Sequence, residues 1–171
     1  MIHCNIHRCV GCRTCEVVCS DAHFGAISPA LARIRVAKLE EIGIDMAVSC
    51  VSCEQKPCLG CSVEALSAGE HGQINLDDEL CTGCGECVDE CPVGAIGFHD
   101  GLPLFCDLCD GSPSCVDNCP GDALVYEQDL EVSLEPFMQF AGSPAQKRAN
   151  YVGVAGRPLR ESWKNGRRVD S

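Results

Sequence analysis

"CTGCGECVDECPVGAI", residues 81 to 96, spaces four cysteines as C-x2-C-x2-C-x3-C and follows the last with proline. The residues between them are small or turn-forming. Such a loop can curl until three thiols face one point, with backbone N–H groups turned toward the same sulfurs. Proline after the fourth cysteine suits the first position of a short helix, where its missing donor costs nothing, and Ala95 and Ile96 then supply apolar cover. Thiols spaced in C-x2-C steps suit a disulfide pair, a zinc ion or a cluster that carries electrons.

Outward from this stretch the cadence repeats. Cys9, Cys12, Cys15 and Cys19 have the same spacing, and Cys81, Cys84, Cys87 and Cys91 form the third quartet. The second, in "CVSCEQKPCLGC", is Cys50, Cys53, Cys58 and Cys61, and the fourth is Cys106, Cys109, Cys115 and Cys119, followed by "PGDAL". Of 17 cysteines only Cys4 is left over. The first and third spacings are those of bacterial ferredoxins, in which three cysteines wrap one [4Fe-4S] cube and the fourth reaches across to another. The second quartet alone suits zinc as well as iron–sulfur. Beside two ferredoxin-type quartets, and with "SVEALS" where the third has "PVGAIG", it reads as a diverged copy.

Composition agrees. In 171 residues there are five Phe, two Tyr and one Trp, too little aromatic bulk for an ordinary core of that length, so inorganic groups are expected in the interior. No leader of basic then apolar residues opens the chain, and no run reaches the eighteen or so apolar residues of a membrane span. A cytoplasmic protein without a membrane span is expected, and there a disulfide framework loses ground. Residues 1 to 135 hold 6 Lys+Arg against 23 Asp+Glu, whereas residues 136 to 171 hold 7 against 2. An acidic body with no basic stripe argues against nucleic acid. No P-loop, no G-x-G-x-x-G after a strand and no nucleophile with its base occur, so an electron conductor rather than an enzyme is expected.

Four quartets with longer spacers inside the second and fourth resemble the four-cluster ferredoxin-type subunits of molybdenum and tungsten oxidoreductases, over roughly residues 1 to 126. The resemblance implies four [4Fe-4S] clusters and shared ligand sets: Cys9, Cys12, Cys15 with Cys119; Cys106, Cys109, Cys115 with Cys19; Cys50, Cys53, Cys58 with Cys91; and Cys81, Cys84, Cys87 with Cys61. An outer unit would then come from quartets one and four and an inner unit from two and three. Two departures stand out, since Cys19 and Cys61 are followed by Ser20 and Ser62 rather than proline. Either serine can cap a short helix, so both cysteines are kept as ligands. The resemblance further implies a catalytic tungsten or molybdenum pterin subunit as partner, with a flavin subunit that reduces NAD, or a ferredoxin, on the other side. The small subunit of tungsten-dependent aldehyde oxidoreductase is the most similar type. A free polyferredoxin, or the matching subunit of a benzoyl-CoA reductase, formate dehydrogenase, hydrogenase or dimethyl sulfoxide reductase complex, is the alternative.

The expected fold class is α+β: two fused ferredoxin-like units, loop-rich, with an inserted β-hairpin and a C-terminal helical tail. Ile34 and Val36, then Ile44, Met46 and Val48, alternate on either side of a Glu-Glu-Ile-Gly turn and predict the hairpin. Residues 72 to 77 and 123 to 126 are strand candidates. In residues 127 to 171, Ser143 as cap, Pro144 at the first position and Gly153 as terminator predict a short helix with Lys147 and Arg148 outside. Phe137, Phe140, Tyr151 and Trp163 are four of the eight aromatic residues, so this tail reads as a docking arm, or as a link joining copies head to tail, rather than a frayed end. Cys4 reads as a small buried hydrophobe. His3, His7, His23, His71 and His99 lack regular spacing and read as surface or supporting groups, and Asp107, Asp110, Asp117 and Asp122 as an acidic rim.

Overall fold

The computed structural model describes residues 1–128 and 131–165. Its class is α+β, built from strand pairs rather than one sheet. β1 (Ile2–Cys4) pairs antiparallel with β8 (Leu124–Tyr126), placing Cys4 opposite Leu124. This pairing joins the two ends of the cysteine-bearing region, so quartets one and four meet although about a hundred residues separate them. β2 (Arg35–Leu39) and β3 (Ile44–Val48) form the expected hairpin, with Leu39 opposite Ile44. β4 (Leu66–Ala68) pairs with β5 (Ile74–Leu76), and β6 (Gly97–His99) pairs with β7 (Leu102–Leu104).

The helices differ from expectation at the fourth cysteines. α1 (Thr14–Phe24) runs through both Cys15 and Cys19, α2 (Glu86–Glu90) stops before Cys91, and α3 (Ser114–Asp117) stops before Cys119. No helix starts at Pro92 or Pro120; each opens a turn, closed by Gly94 N to Cys91 O at 3.1 Å and Asp122 N to Cys119 O at 3.1 Å. Left-handed backbone at Gly94, φ +61°, and Asp122, φ +45°, keeps either turn from growing into a helix, and proline keeps Cys91 extended at φ −64°, ψ 114°, which ends α2. In the first quartet Ser20 replaces proline, so α1 continues. Ser20 is therefore not a cap: its hydroxyl donates to Val17 O at 3.0 Å and accepts from Ser28 N at 3.1 Å. Ser62 lies in a turn and caps no helix either.

α4 (Pro144–Lys164) is about twice as long as a stop at Gly153 allows. Ser143 caps its start, as the sequence suggests, and Gln146 completes a capping box with it. Beyond it, Val152, Gly156 and Leu159 are buried against the β2–β3 hairpin, where Gly156 abuts Ile44. That packing carries the helix past Gly153 and Pro158, both poor interior residues. The described tail is thus folded onto the body rather than held away from it. Phe137 meets Tyr151 edge to face at 5.2 Å, and Met138, Phe140 and Trp163 remain exposed. Upstream, Val132 N donates to Ser52 O at 3.3 Å, Glu54 N donates to Val132 O at 3.1 Å, and Leu134 is buried. Among the described residues no helix is long and apolar enough to cross a membrane.

Candidate metal centres

Each quartet loop bends through left-handed backbone: Gly11 and Arg13 in the first, Ser52 and Lys56 in the second, Gly83 and Gly85 in the third, and Leu108, Cys109 and Asp110 in the fourth. Non-glycine residues hold this conformation only where the surroundings enforce it, and such strain gathers at functional sites. Successive turns of this kind aim backbone N–H groups inward. At the fourth cysteines that aim falls on sulfur: Arg33 N lies 3.3 Å from Cys19 Sγ, Ala95 N 3.3 Å from Cys91 Sγ, and Ala123 N 3.3 Å from Cys119 Sγ.

The thiols collect in four groups. Cys9, Cys12, Cys15 and Cys119 line one hollow walled by Val36, Ala47 and Leu124. Cys50, Cys53, Cys58 and Cys91 line a second, closed by Val93, Phe105 and Leu134. Cys61, Cys81, Cys84 and Cys87 border an open cavity of about 370 Å³, with Cys58 on its wall. Cys61 thus faces the third quartet despite its irregular spacing. Across the contact between α1 and α3, Cys19 lies within electrostatic reach of Cys109, and Cys106 within reach of Cys115 and Cys19.

Burial dominates the chemistry of these thiols. It pushes Cys15 up to about 12, with Glu16 and Cys9 adding to the effect, and Cys58 to about 12, with Cys50, Cys53 and Cys91 adding. Cys115 rises to about 12, from burial first and then from Cys19, Cys15 and Cys109, and Cys50 and Cys87 rise to about 11. Buried in this way the thiols favour their neutral form, and a bound cationic iron would be what holds them as thiolates. A thiol-only donor set, four to a site, with apolar walls and N–H groups on sulfur, fits a [4Fe-4S] cube.

Some thiols of one group lie near thiols of another. Cys115 feels Cys15 of the first hollow, Cys106 feels Cys50 of the central one, and Cys58 borders both the central hollow and the open cavity. The remaining candidates have other positions. Cys4 is buried, 5% exposed, beside Cys9, which draws a hydrogen bond from it and is lowered accordingly. His23 sits between Cys19 O, 2.7 Å from Nδ1, and Asp107, 3.1 Å from Nε2; the other four histidines are exposed. Asp110, Asp117 and Asp122 form an exposed rim, but Asp107 turns inward to Arg33 and His23.

Sequence reasoning missed Glu16, which is 1% exposed and accepts from Val36 N at 2.8 Å. Its other oxygen lies 2.7 Å from Arg13 Nε, an ion pair outside hydrogen-bond alignment. A charge directly after Cys15 was the available signal. Also missed was Leu134, which no motif marks, and the expectation that Lys147 and Arg148 lie outside is corrected: Lys147 is buried and Arg148 half-buried, because both reach backbone carbonyls of the third-quartet loop.

Comparison with known proteins adds three findings. The 4Fe-4S binding domain family matches residues 74–97, the stretch that holds the third quartet. A polyferredoxin-like subunit of an aliphatic sulfonate oxidoreductase from Pyrococcus furiosus is 45% identical over 87 residues, 50% of either chain. The putative electron transport protein YsaA of Escherichia coli is 42% identical over 97 residues, 52% of this chain and 60% of that protein. The chain therefore spans about half the length of the curated relatives it matches. Among solved structures, the active site complex BamBC of benzoyl-CoA reductase with benzoyl-CoA aligns at a TM-score of 0.44 and 29% identity, over 73% of this chain and 76% of that one. Residues 74–97 thus match the 4Fe-4S binding domain family, and about half of the chain is similar to proteins named as a polyferredoxin-like subunit and an electron transport protein.

Proposed function

We propose that the protein is the electron-transfer subunit of an oxidoreductase complex and holds four [4Fe-4S] clusters in a row. The observation that carries this is the gathering of twelve thiols around three cavities, each drawing on two quartets, with Cys19, Cys106, Cys109 and Cys115 left near one another where α1 meets α3. Cys9, Cys12, Cys15 and Cys119 would hold one end, then Cys19, Cys106, Cys109 and Cys115, then Cys50, Cys53, Cys58 and Cys91, with Cys61, Cys81, Cys84 and Cys87 at the other end. Each cluster, when bound, accepts and returns one electron. The chain's own part is to hold thiolates, shield them with apolar walls and donate N–H groups to sulfur, which sets potential.

The partner proposed is a tungsten or molybdenum pterin subunit that oxidises an aldehyde to its acid. Water supplies the oxygen, and two electrons and two protons leave; this subunit would pass the electrons singly to a flavin subunit or a ferredoxin. Support comes from the quartet pattern and from relatives named as oxidoreductase subunits. Iron and acid-labile sulfide are measured on anaerobically purified protein. About sixteen of each per chain is expected, and zinc in place of iron would overturn the reading. Tagged protein recovered from its native cell should bring down a tungsten-containing polypeptide and bleach on adding an aldehyde. A partner that leaves the colour unchanged with aldehydes would refute the substrate class alone.

A further inference from the structure

The first turns of α4 press on the loop that carries Cys91. Pro144 O abuts Gly94, whose φ is +61°, so closely that a side chain there would collide with it. Lys147, 8% exposed, donates from Nζ to Asp89 O, and half-buried Arg148 donates from Nη1 to Gly94 O. The two carbonyls bracket Cys91 in the chain, and that of Gly94 immediately precedes Ala95, whose N–H points at Cys91 Sγ. Two cations are thus brought from a distant segment to one thiol loop, and neither has a carboxylate partner among the described residues.

Charge makes this placement consequential. Reducing a cluster adds one negative charge, so a fixed cation beside it in a low-dielectric interior favours the reduced form. An arginine stays charged even when burial and nearby Arg35 lower its pKa, as they do for Arg148, and Cys91 acts on it in the opposite sense. The open end of the row has the reverse environment, because Glu86 and Glu90 border the cavity of Cys61, Cys81, Cys84 and Cys87.

We infer that Lys147 and Arg148 are positioning residues of the Cys50, Cys53, Cys58 and Cys91 site, holding the Cys91 loop and raising that cluster's reduction potential above that of the glutamate-lined end. The inference rests on the four-cluster reading above. It is tested on the full chain by potentiometric titration followed by EPR, with Arg148→Gln, Lys147→Met and the charge-keeping Arg148→Lys. With iron content unchanged, Arg148→Gln and Lys147→Met should each lower one centre's potential, by about 59 mV for every tenfold loss in its reduction equilibrium. Arg148→Lys should restore most of that loss, and the other three centres should not move. Unshifted potentials in Arg148→Gln with full iron would overturn the inference. So would equal iron loss in Arg148→Gln and Arg148→Lys, since the role would then be structural only. Fewer than four centres in the unmutated chain would instead refute the four-cluster reading itself.

Discussion

Cys4 and Cys61 show how differently two thiols outside the regular spacing can be placed. Cys61 borders the cavity of the third quartet, whereas Cys4 is enclosed among apolar residues beside Cys9, with Cys15 also near. Cys61→Ala should reduce iron from about sixteen to about twelve per chain, since one cube loses its fourth ligand. Cys4→Ala should keep all the iron and cost about 1 kcal/mol in thermal or denaturant unfolding, the effect of a small core truncation. Iron analysis of the two variants side by side decides both. Gly94 makes a third point. Its φ of +61° and its contact with Pro144 O leave no room for a side chain, so Gly94→Ala should destabilise by more than the ~1 kcal/mol of backbone strain alone.

Helix limits in this protein follow from what lies next to each helix. α2 and α3 end at cysteines because proline follows, a local rule visible in "ECP" and "NCP". α4 ignores two equally local signals, Gly153 and Pro158, because its buried face has the β2–β3 hairpin to cover. Tertiary burial outweighs propensity here, as it does in most short helices of folded proteins. Leu159→Ala should therefore cost ~2–5 kcal/mol, and Ser143→Ala, which removes the cap, about 1 kcal/mol. Thermal melts of the cluster-loaded protein measure both. A smaller effect for Leu159 than for Ser143 would mean that α4 is not held by the hairpin.

For the chain as one body, the core is shared between side chains and thiols, so the fold and its metal are coupled. Stripping iron with acid and chelator under anaerobic conditions should abolish cooperative unfolding, with loss of a sharp thermal transition and of protection in hydrogen exchange. A sharp transition in the stripped protein would show that the apolar residues suffice. The acidic body, with 23 Asp+Glu against 6 Lys+Arg in residues 1 to 135, should also make association with a redox partner depend on ionic strength, steeply below about 0.1 M.

The iron–sulfur character of the quartets, the hairpin and the cap at Ser143 were all legible in residue order. Each depends on residues within a few positions of one another, where spacing and stereochemistry act directly. The α+β class followed from the same signals. Nothing local announced that Cys61 faces the third quartet, that Leu134 closes the central hollow, that Glu16 is buried, or that Lys147 and Arg148 reach the Cys91 loop. Those placements depend on α2 packing against the second quartet loop, on Val132 and Leu134 bonding to residues 52 to 55, on Glu16 meeting Val36 of the hairpin, and on α4 folding back over that hairpin. Such closures join segments far apart in the chain, and the burial gained on closing decides them rather than any motif at either end.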